Sequence, residues 1–159
     1  GDIRGIQSNN MRAVIQRVKS SKVTVDEKVT GAIGRGLMVL IGVEVGDSEK
    51  DAQYIADKVT GLRIFEDENG KMNLSVKETN GKILAVSQFT LLGDVRKGKR
   101  PSFTKAARPE EAQSLYRRVI ENIISQGIDV EEGIFQEEML VEIYNDGPVT
   151  ILLDSNKKF

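Results

Sequence analysis

The sequence contains no cysteine and no histidine among its 159 residues. Without cysteine there can be no disulfide, no zinc–thiolate site and no thiol nucleophile. That composition fits a reducing compartment, and a cytoplasmic location is the expectation. Without histidine a Ser-His-Asp triad is excluded, as is any His-ligated metal. General acid–base chemistry would fall to carboxylates, lysine, tyrosine, backbone groups or the substrate itself. Neither a metal nor a cofactor is expected. Long apolar runs are missing too. Nothing approaches the ~18 residues of a membrane span, the longest run being Leu37 to Val43, which reads as a strand. No signal-peptide pattern shows, and no membrane partner is expected. The formal net charge is −1, so no global field attracts polyanions.

What is present divides simply. Gly1 to Asn10 (GDIRGIQSNN) has no periodicity and reads as an appended remnant outside the domain. Residues 11–154 have the length of one domain that buries its own core, and 155–159 read as a flexible tail. Arg12 to Lys19 has strand alternation, with Val14, Gln16 and Val18 on one face and Ala13, Ile15 and Arg17 on the other. Arg17 is the odd residue on its face. Ser21 to Val25 alternates as well, Asp26-Glu27-Lys28 turns the chain, and Val29 to Ile33 returns it. Gly42, inside the Leu37–Val43 strand, suggests a bulge or a close backbone neighbour.

Two helices are legible. Ser48 with Asp51 resembles a capping box. Ala52, Ile55, Ala56, Val59 and Leu62 then share a helical face. The second helix opens on Pro109, carries Glu110 and Glu111 near its positive end, and shows an apolar stripe from Ala112 to Ile124 before Gly127. Hairpin chemistry recurs at Asp67–Gly70 and at Asn80-Gly81. Closing strands are expected over 128–135, 139–144 and 149–153, with Asn145-Asp146-Gly147-Pro148 as an ordinary hairpin turn between the last two. The fold class that follows is α+β: an antiparallel barrel-like sheet, or two packed sheets, with two main helices.

Two stretches carry chemistry. The strand read over 83–91 begins as the buried run Ile83-Leu84-Ala85-Val86 and becomes polar at Ser87, Gln88 and Thr90 without a Gly or Pro to end it. A strand end that opens into a pocket would satisfy those groups, as would an ordinary strand whose last residues reach solvent. Arg96, Lys97, Lys99 and Arg100 crowd around Gly98 and form a local basic patch on an acidic chain, suited to phosphate contact at the end of a nucleic acid.

Ser87-Gln88-Phe89-Thr90-Leu91 together with Asn145-Asp146-Gly147-Pro148-Val149-Thr150 resembles the two signature motifs of D-aminoacyl-tRNA deacylases. Met11 to Val18, Gly61 to Phe65, Gly70 to Leu74 and Arg100 to Phe103 are similar to further family segments, in the same order. The resemblance implies hydrolysis of the ester joining a D-amino acid to the terminal adenosine of tRNA, clearance of misplaced glycine, and a native start at Met11. It implies a homodimer with active sites at the subunit interface. A cis Gly147-Pro148 loop would enter the neighbouring pocket, its carbonyls excluding an L side chain, and Arg17 would hold that loop. Ser87, Gln88, Phe89 and Thr90 would form the catalytic segment. Ala112, Phe135 and Met139 would pack the adenine. Two mechanisms stay open: water attack assisted by the ribose 2′-hydroxyl, with backbone N–H groups near Phe89 and Thr90 stabilising the oxyanion, or Thr90 as covalent nucleophile. A non-catalytic dimeric RNA-binding module and a general esterase are the competing functions.

Overall fold

The computed structural model describes residues 10–159, so the reading of the leading segment as a remnant lies, apart from Asn10, outside the described residues. Asn10 itself is buried and its amide donates to Glu44 Oε1. The elements in order are β1 (Arg12–Val25), β2 (Lys28–Ile33), β3 (Gly36–Gly42), α1 (Glu49–Gly61), β4 (Phe65–Glu66), β5 (Met72–Leu74), β6 (Lys82–Ser87), a 3-10 turn (Phe89–Leu92), α2 (Pro109–Ile124), β7 (Val130–Glu132) and β8 (Leu140–Asp154). The α+β class with two helices holds. The main sheet runs β2-β1-β3-β6-β7 with β8 alongside β1, and β4 and β5 form a separate hairpin.

β1 is the spine. The two runs read separately in the sequence are one long strand, which pairs antiparallel with β2, β3 and β8. Asp26 and Glu27 both take positive φ in the two-residue turn to β2, the geometry such hairpins need. The sheet is mixed, because β3 pairs parallel with β6 and β6 parallel with β7. The long excursions through α1 and α2 supply the crossovers that parallel pairing requires. β7 then comes back beside β2, where Thr30 Oγ1 donates to the Glu132 carbonyl, and the sheet nearly closes.

Period-two alternation divides the core. Leu37, Val39, Ile41, Ile83 and Ala85 face α1 and α2, packing on Ala52, Ile55, Val59, Val119, Ile120 and Ile123. The alternate residues Met38, Leu84 and Val86 join Val18, Val23 and Ile33 inside the barrel. The capping arrangement forms at α1, with Asp51 Oδ2 accepting from the Ser48 amide at 2.8 Å. Pro109 opens α2, and Gly127, at φ 88°, follows its end.

Two expectations about strand ends are corrected. The strand from Ile83 does not reach Leu91. Its last ladder bond is Gln88 N to Ile41 O, after which the chain tightens into the Phe89–Leu92 turn. The second correction is at Asn145 to Pro148, which is not a hairpin. β8 continues through it in one direction along β1, and only the register breaks: Gln16 pairs with Thr150 and Val18 with Asn145, so the intervening residues bulge outward opposite Arg17. The Asn145 side chain closes the base of the bulge, its Oδ1 accepting from Val149 N at 2.7 Å and its Nδ2 donating to Val149 O at 3.1 Å. A side-chain amide replaces the missing backbone rungs, and beyond the bulge β8 pairs with β1 again in a shifted register. At the other end of β8, Ser155 exchanges hydrogen bonds with Met11, the Ser155 amide donating to Met11 O and the Met11 amide to Ser155 Oγ.

Candidate active site

The end of β6 opens into a cavity of about 590 Å³. Ser87, Gln88, Phe89 and Thr90 form one wall, and Ala112, Phe135 and Met139 line it as well. Two of the residue groups singled out in the sequence thus meet at one cavity. Val43, Phe103, Ala106, Ala107 and Pro109 complete an apolar floor, with Gln136 and Glu137 on the lining. Of these, Phe103 had appeared only inside a motif. An aromatic residue isolated in a charged loop was the available signal. Phe103 meets Phe89 edge to face, with ring centroids 5.1 Å apart and planes at 73°, a contact that adds ~1 kcal/mol beyond burial. Phe89 is still 55% exposed, which leaves room for a ligand against it.

The turn that carries Phe89 and Thr90 depends on Gly42. A Cβ at that position would lie 2.7 Å from Leu92 Cδ2 and 3.0 Å from the Gln88 carbonyl. The expected close neighbour is thus this turn. The amides of Phe89 and Thr90 make no backbone hydrogen bond among the described residues. Opening a 3-10 turn leaves such donors for water or a ligand.

Gln88 Nε2 donates to Thr90 Oγ1 at 2.6 Å. The threonine oxygen is therefore an acceptor in this contact, and its own proton is available for donation outward. No base on the described lining is hydrogen-bonded to Thr90 to remove that proton. Glu137 is the one carboxylate there, and it makes no hydrogen bond to Thr90. Among the described residues no group of acidic side chains is placed to hold a metal ion, and no helix is long and apolar enough to cross a membrane.

The remaining residues singled out lie elsewhere. Gly147 and Pro148, joined by a cis peptide, are exposed on the β8 bulge and do not line the cavity. Arg17 is buried beneath that bulge. Its Nε donates to the Asp146 carbonyl at 2.9 Å and its Nη1 to the Ile64 carbonyl at 2.7 Å. Packing under a backbone bulge explains an arginine on an otherwise apolar face. Arg96, Lys97, Lys99 and Arg100 are exposed, but Arg96 is engaged by Asp94 through Nε and Nη2. That ion pair holds the Asp94 carboxyl well below the usual carboxylate range. The loop is pinned below its tip, where Asp94 and Ser102 exchange backbone hydrogen bonds.

The chain is similar to known proteins over most of its length. The family model for D-Tyr-tRNA(Tyr) deacylase matches residues 14–154. D-aminoacyl-tRNA deacylases from Thermotoga petrophila and Koribacter versatilis are each 60% identical over 149 residues, covering 94% of this chain and all of theirs. Among solved structures, one titled c-Myc DNA Unwinding Element Binding Protein superposes with a TM-score of 0.86 at 42% identity, over 90% of this chain and 97% of that one. A probable eukaryotic D-amino acid tRNA deacylase shares the fold, with a TM-score of 0.78 at 20% identity over 91% and 99% of the two chains. With the match running from β1 to the last residue of β8 and including both motif segments, the chain belongs to the D-Tyr-tRNA(Tyr) deacylase family.

Proposed function

We propose that the protein hydrolyses the ester between a D-amino acid and the terminal adenosine of tRNA, and likewise releases glycine from mischarged tRNA. The observation that carries the reading is the Gln88–Thr90 contact at the wall of a mostly apolar cavity. Thr90, accepting from an amide and lacking a base, is poorly set to attack but well set to donate. The substrate ester is already activated, and its ribose 2′-hydroxyl can assist water. The water oxygen bonds to the carbonyl carbon, charge gathers on the carbonyl oxygen, and the ester C–O bond breaks as the ribose oxygen takes a proton. Thr90 and the amides of Phe89 and Thr90 stabilise the oxyanion. Adenine packs on Ala112, Phe135 and Met139.

The active unit is a homodimer. Among the described residues β8 pairs only with β1, so its outer edge is open, and Leu140, Tyr144 and Leu152 on it are exposed. A second copy covers that strand and brings its Gly147–Pro148 bulge to the neighbouring cavity, where carbonyl groups refuse an L side chain. Lys97, Lys99 and Arg100 meet tRNA phosphates. The reaction takes place in the cytoplasm.

Deacylation of paired D- and L-aminoacyl-tRNA by the purified protein tests the reading directly, with turnover expected for the D ester alone. A terminal 2′-deoxyribose should cripple turnover. A trappable acyl-enzyme that disappears in Thr90→Ala would establish the nucleophile mechanism in its place. The name of the 42% identical relative gives a nucleic-acid-binding module its support. Under that reading no deacylation occurs. Under ours, neutralising Lys97, Lys99 and Arg100 flattens the salt dependence of binding while hydrolysis of a short aminoacyl-adenosine survives.

A further inference from the structure

Behind the cavity lies a side-chain network that the chemistry above does not use. Tyr116, on α2, is 4% exposed. Its phenol proton is shared between Glu132 Oε1 at 2.9 Å and the Ala85 carbonyl at 3.2 Å. Arg117 grips the same carboxylate with both guanidinium nitrogens, Nη1 to Oε2 at 2.9 Å and Nη2 to Oε1 at 2.8 Å. It also lies over the Tyr116 ring, 5.7 Å from its centroid. Burial and the neighbouring carboxylate push the Tyr116 phenol far up, so it stays a donor.

The place of this network matters more than its strength. Glu132 is the last residue of β7, and Gly133 begins the loop to β8. That loop supplies Phe135, Gln136, Glu137 and Met139 to the cavity. Its own backbone hydrogen bonds among the described residues are few: Gly133 N to Ala85 O at 3.2 Å, and Glu137 N to Ile134 O at 3.3 Å. Ala85 O thus receives both the loop's first amide and the Tyr116 hydroxyl. Tyr116 also borders a small void of about 10 Å³ shared with Ser87, Phe135 and Met139. α2 is therefore tied to the root of the loop and lies directly against the side chains that form the cavity's outer wall.

We propose that Tyr116, Glu132 and Arg117 form a brace that sets the 133–139 loop, making Tyr116 a positioning residue for the nucleoside end of the substrate. The assignment rests on the deacylase reading for its substrate, but not for its structural half. The brace acts where the base packs and not where the ester sits. Its loss weakens binding of the terminal nucleoside and leaves the chemical step alone.

The test uses Tyr116→Phe, which keeps the ring and removes the hydroxyl, and Glu132→Gln, which keeps the shape and removes the charge. Each should raise KM for D-aminoacyl-tRNA about tenfold, as expected for one lost charge-assisted hydrogen bond, with kcat within about twofold. Combined, they should cost less than the two single changes added together, because both break the Tyr116–Glu132 link. An unchanged KM in a folded variant, or a fall in kcat at constant KM, overturns the proposal. A second measurement is independent of turnover. The chain has no tryptophan, so Phe135→Trp places a single reporter on the loop. Adding Tyr116→Phe should raise the exposure of that reporter to a soluble quencher, and unchanged quenching refutes the brace. If the wild-type protein hydrolyses no D-aminoacyl-tRNA, the functional reading fails while the quenching result still decides the brace.

Discussion

Arg17 shows how one side chain can hold two distant segments. It reaches the Asp146 carbonyl on the bulge and the Ile64 carbonyl ahead of β4, and it is almost wholly buried. Arg17→Ala would strand the Ile64 carbonyl and release the bulge. A stability loss of about 2–3 kcal/mol is expected, together with a larger loss of deacylation, measurable by urea denaturation and by turnover. Arg17→Lys should not restore either, since a single ammonium cannot reach both carbonyls with the fork geometry of a guanidinium. Asp47 carries a different consequence. Burial, assisted by the charges of Asp51, Glu44 and Asp154, lifts its pKa from 3.8 to about 7, against the opposing hydrogen bond from the Glu44 amide. Its Oδ1 is buried without a hydrogen-bond partner among the described residues. The folded state therefore holds a proton that the unfolded chain has released. The stabilisation is complete below about pH 4 and is lost as pH rises through about 7. Glu44, also raised by burial, acts with the same sign. Melting temperature should fall between pH 5 and about 8, and Asp47→Asn should flatten much of that slope.

At the scale of elements, the site is a junction of a strand end, a turn and a glycine. Gly42→Ala places a methyl group against Leu92 and the Gln88 carbonyl, so the Phe89–Leu92 turn must lift from β3. Turnover should drop at least tenfold through displaced oxyanion donors, with a stability loss of about 1–3 kcal/mol; kinetics beside thermal denaturation would check both. A variant that melts lower yet keeps full activity would show that the turn's position is not catalytic. The same junction explains what could be read in advance. Apolar runs with a period of two or of 3.6 marked β1, β3, α1 and α2, because burial writes that pattern directly. Polarity after Val86 marked the cavity, because buried hydroxyls and amides need partners. Phe103 and Glu137 reach the cavity from loops, where no periodicity reports orientation. The Asn145–Pro148 bulge carries the same residue types as a hairpin turn. Only the register against β1, and the amide of Asn145 standing in for lost rungs, distinguish the two.

The molecule as a whole joins a cavity on one side of the sheet to a bulge on another, and Gly147 and Pro148 do not line the cavity of their own chain. Two-fold assembly through β8 would complete each cavity with the other copy's bulge. Mixing a pocket-damaged variant such as Thr90→Ala with a bulge-damaged variant such as Pro148→Ala, after joint refolding, should then restore about a quarter of wild-type activity. Half of the dimers formed are mixed, and each has one intact site. No recovery on mixing would mean that each chain serves itself. The mixed sheet was less legible than the helices. Parallel pairing of β3, β6 and β7 joins segments separated by whole helices, and local sequence cannot report it. That topology has a temporal side. β1 is made first, yet its partner along its whole length, β8, is made last, with Arg12 paired to Asp154 and Ala13 to Leu153. A spine strand whose long edge stays unpaired until β8 has emerged cannot fold piecemeal. Until then the nascent chain carries an apolar edge with unmet hydrogen bonds, and contacts of such sequence separation place folding on the slow side, in the range of about milliseconds to seconds. Shielding of that edge by a chaperone, or a slow and single late closure, is the demand that the β1–β8 pair makes on the cell.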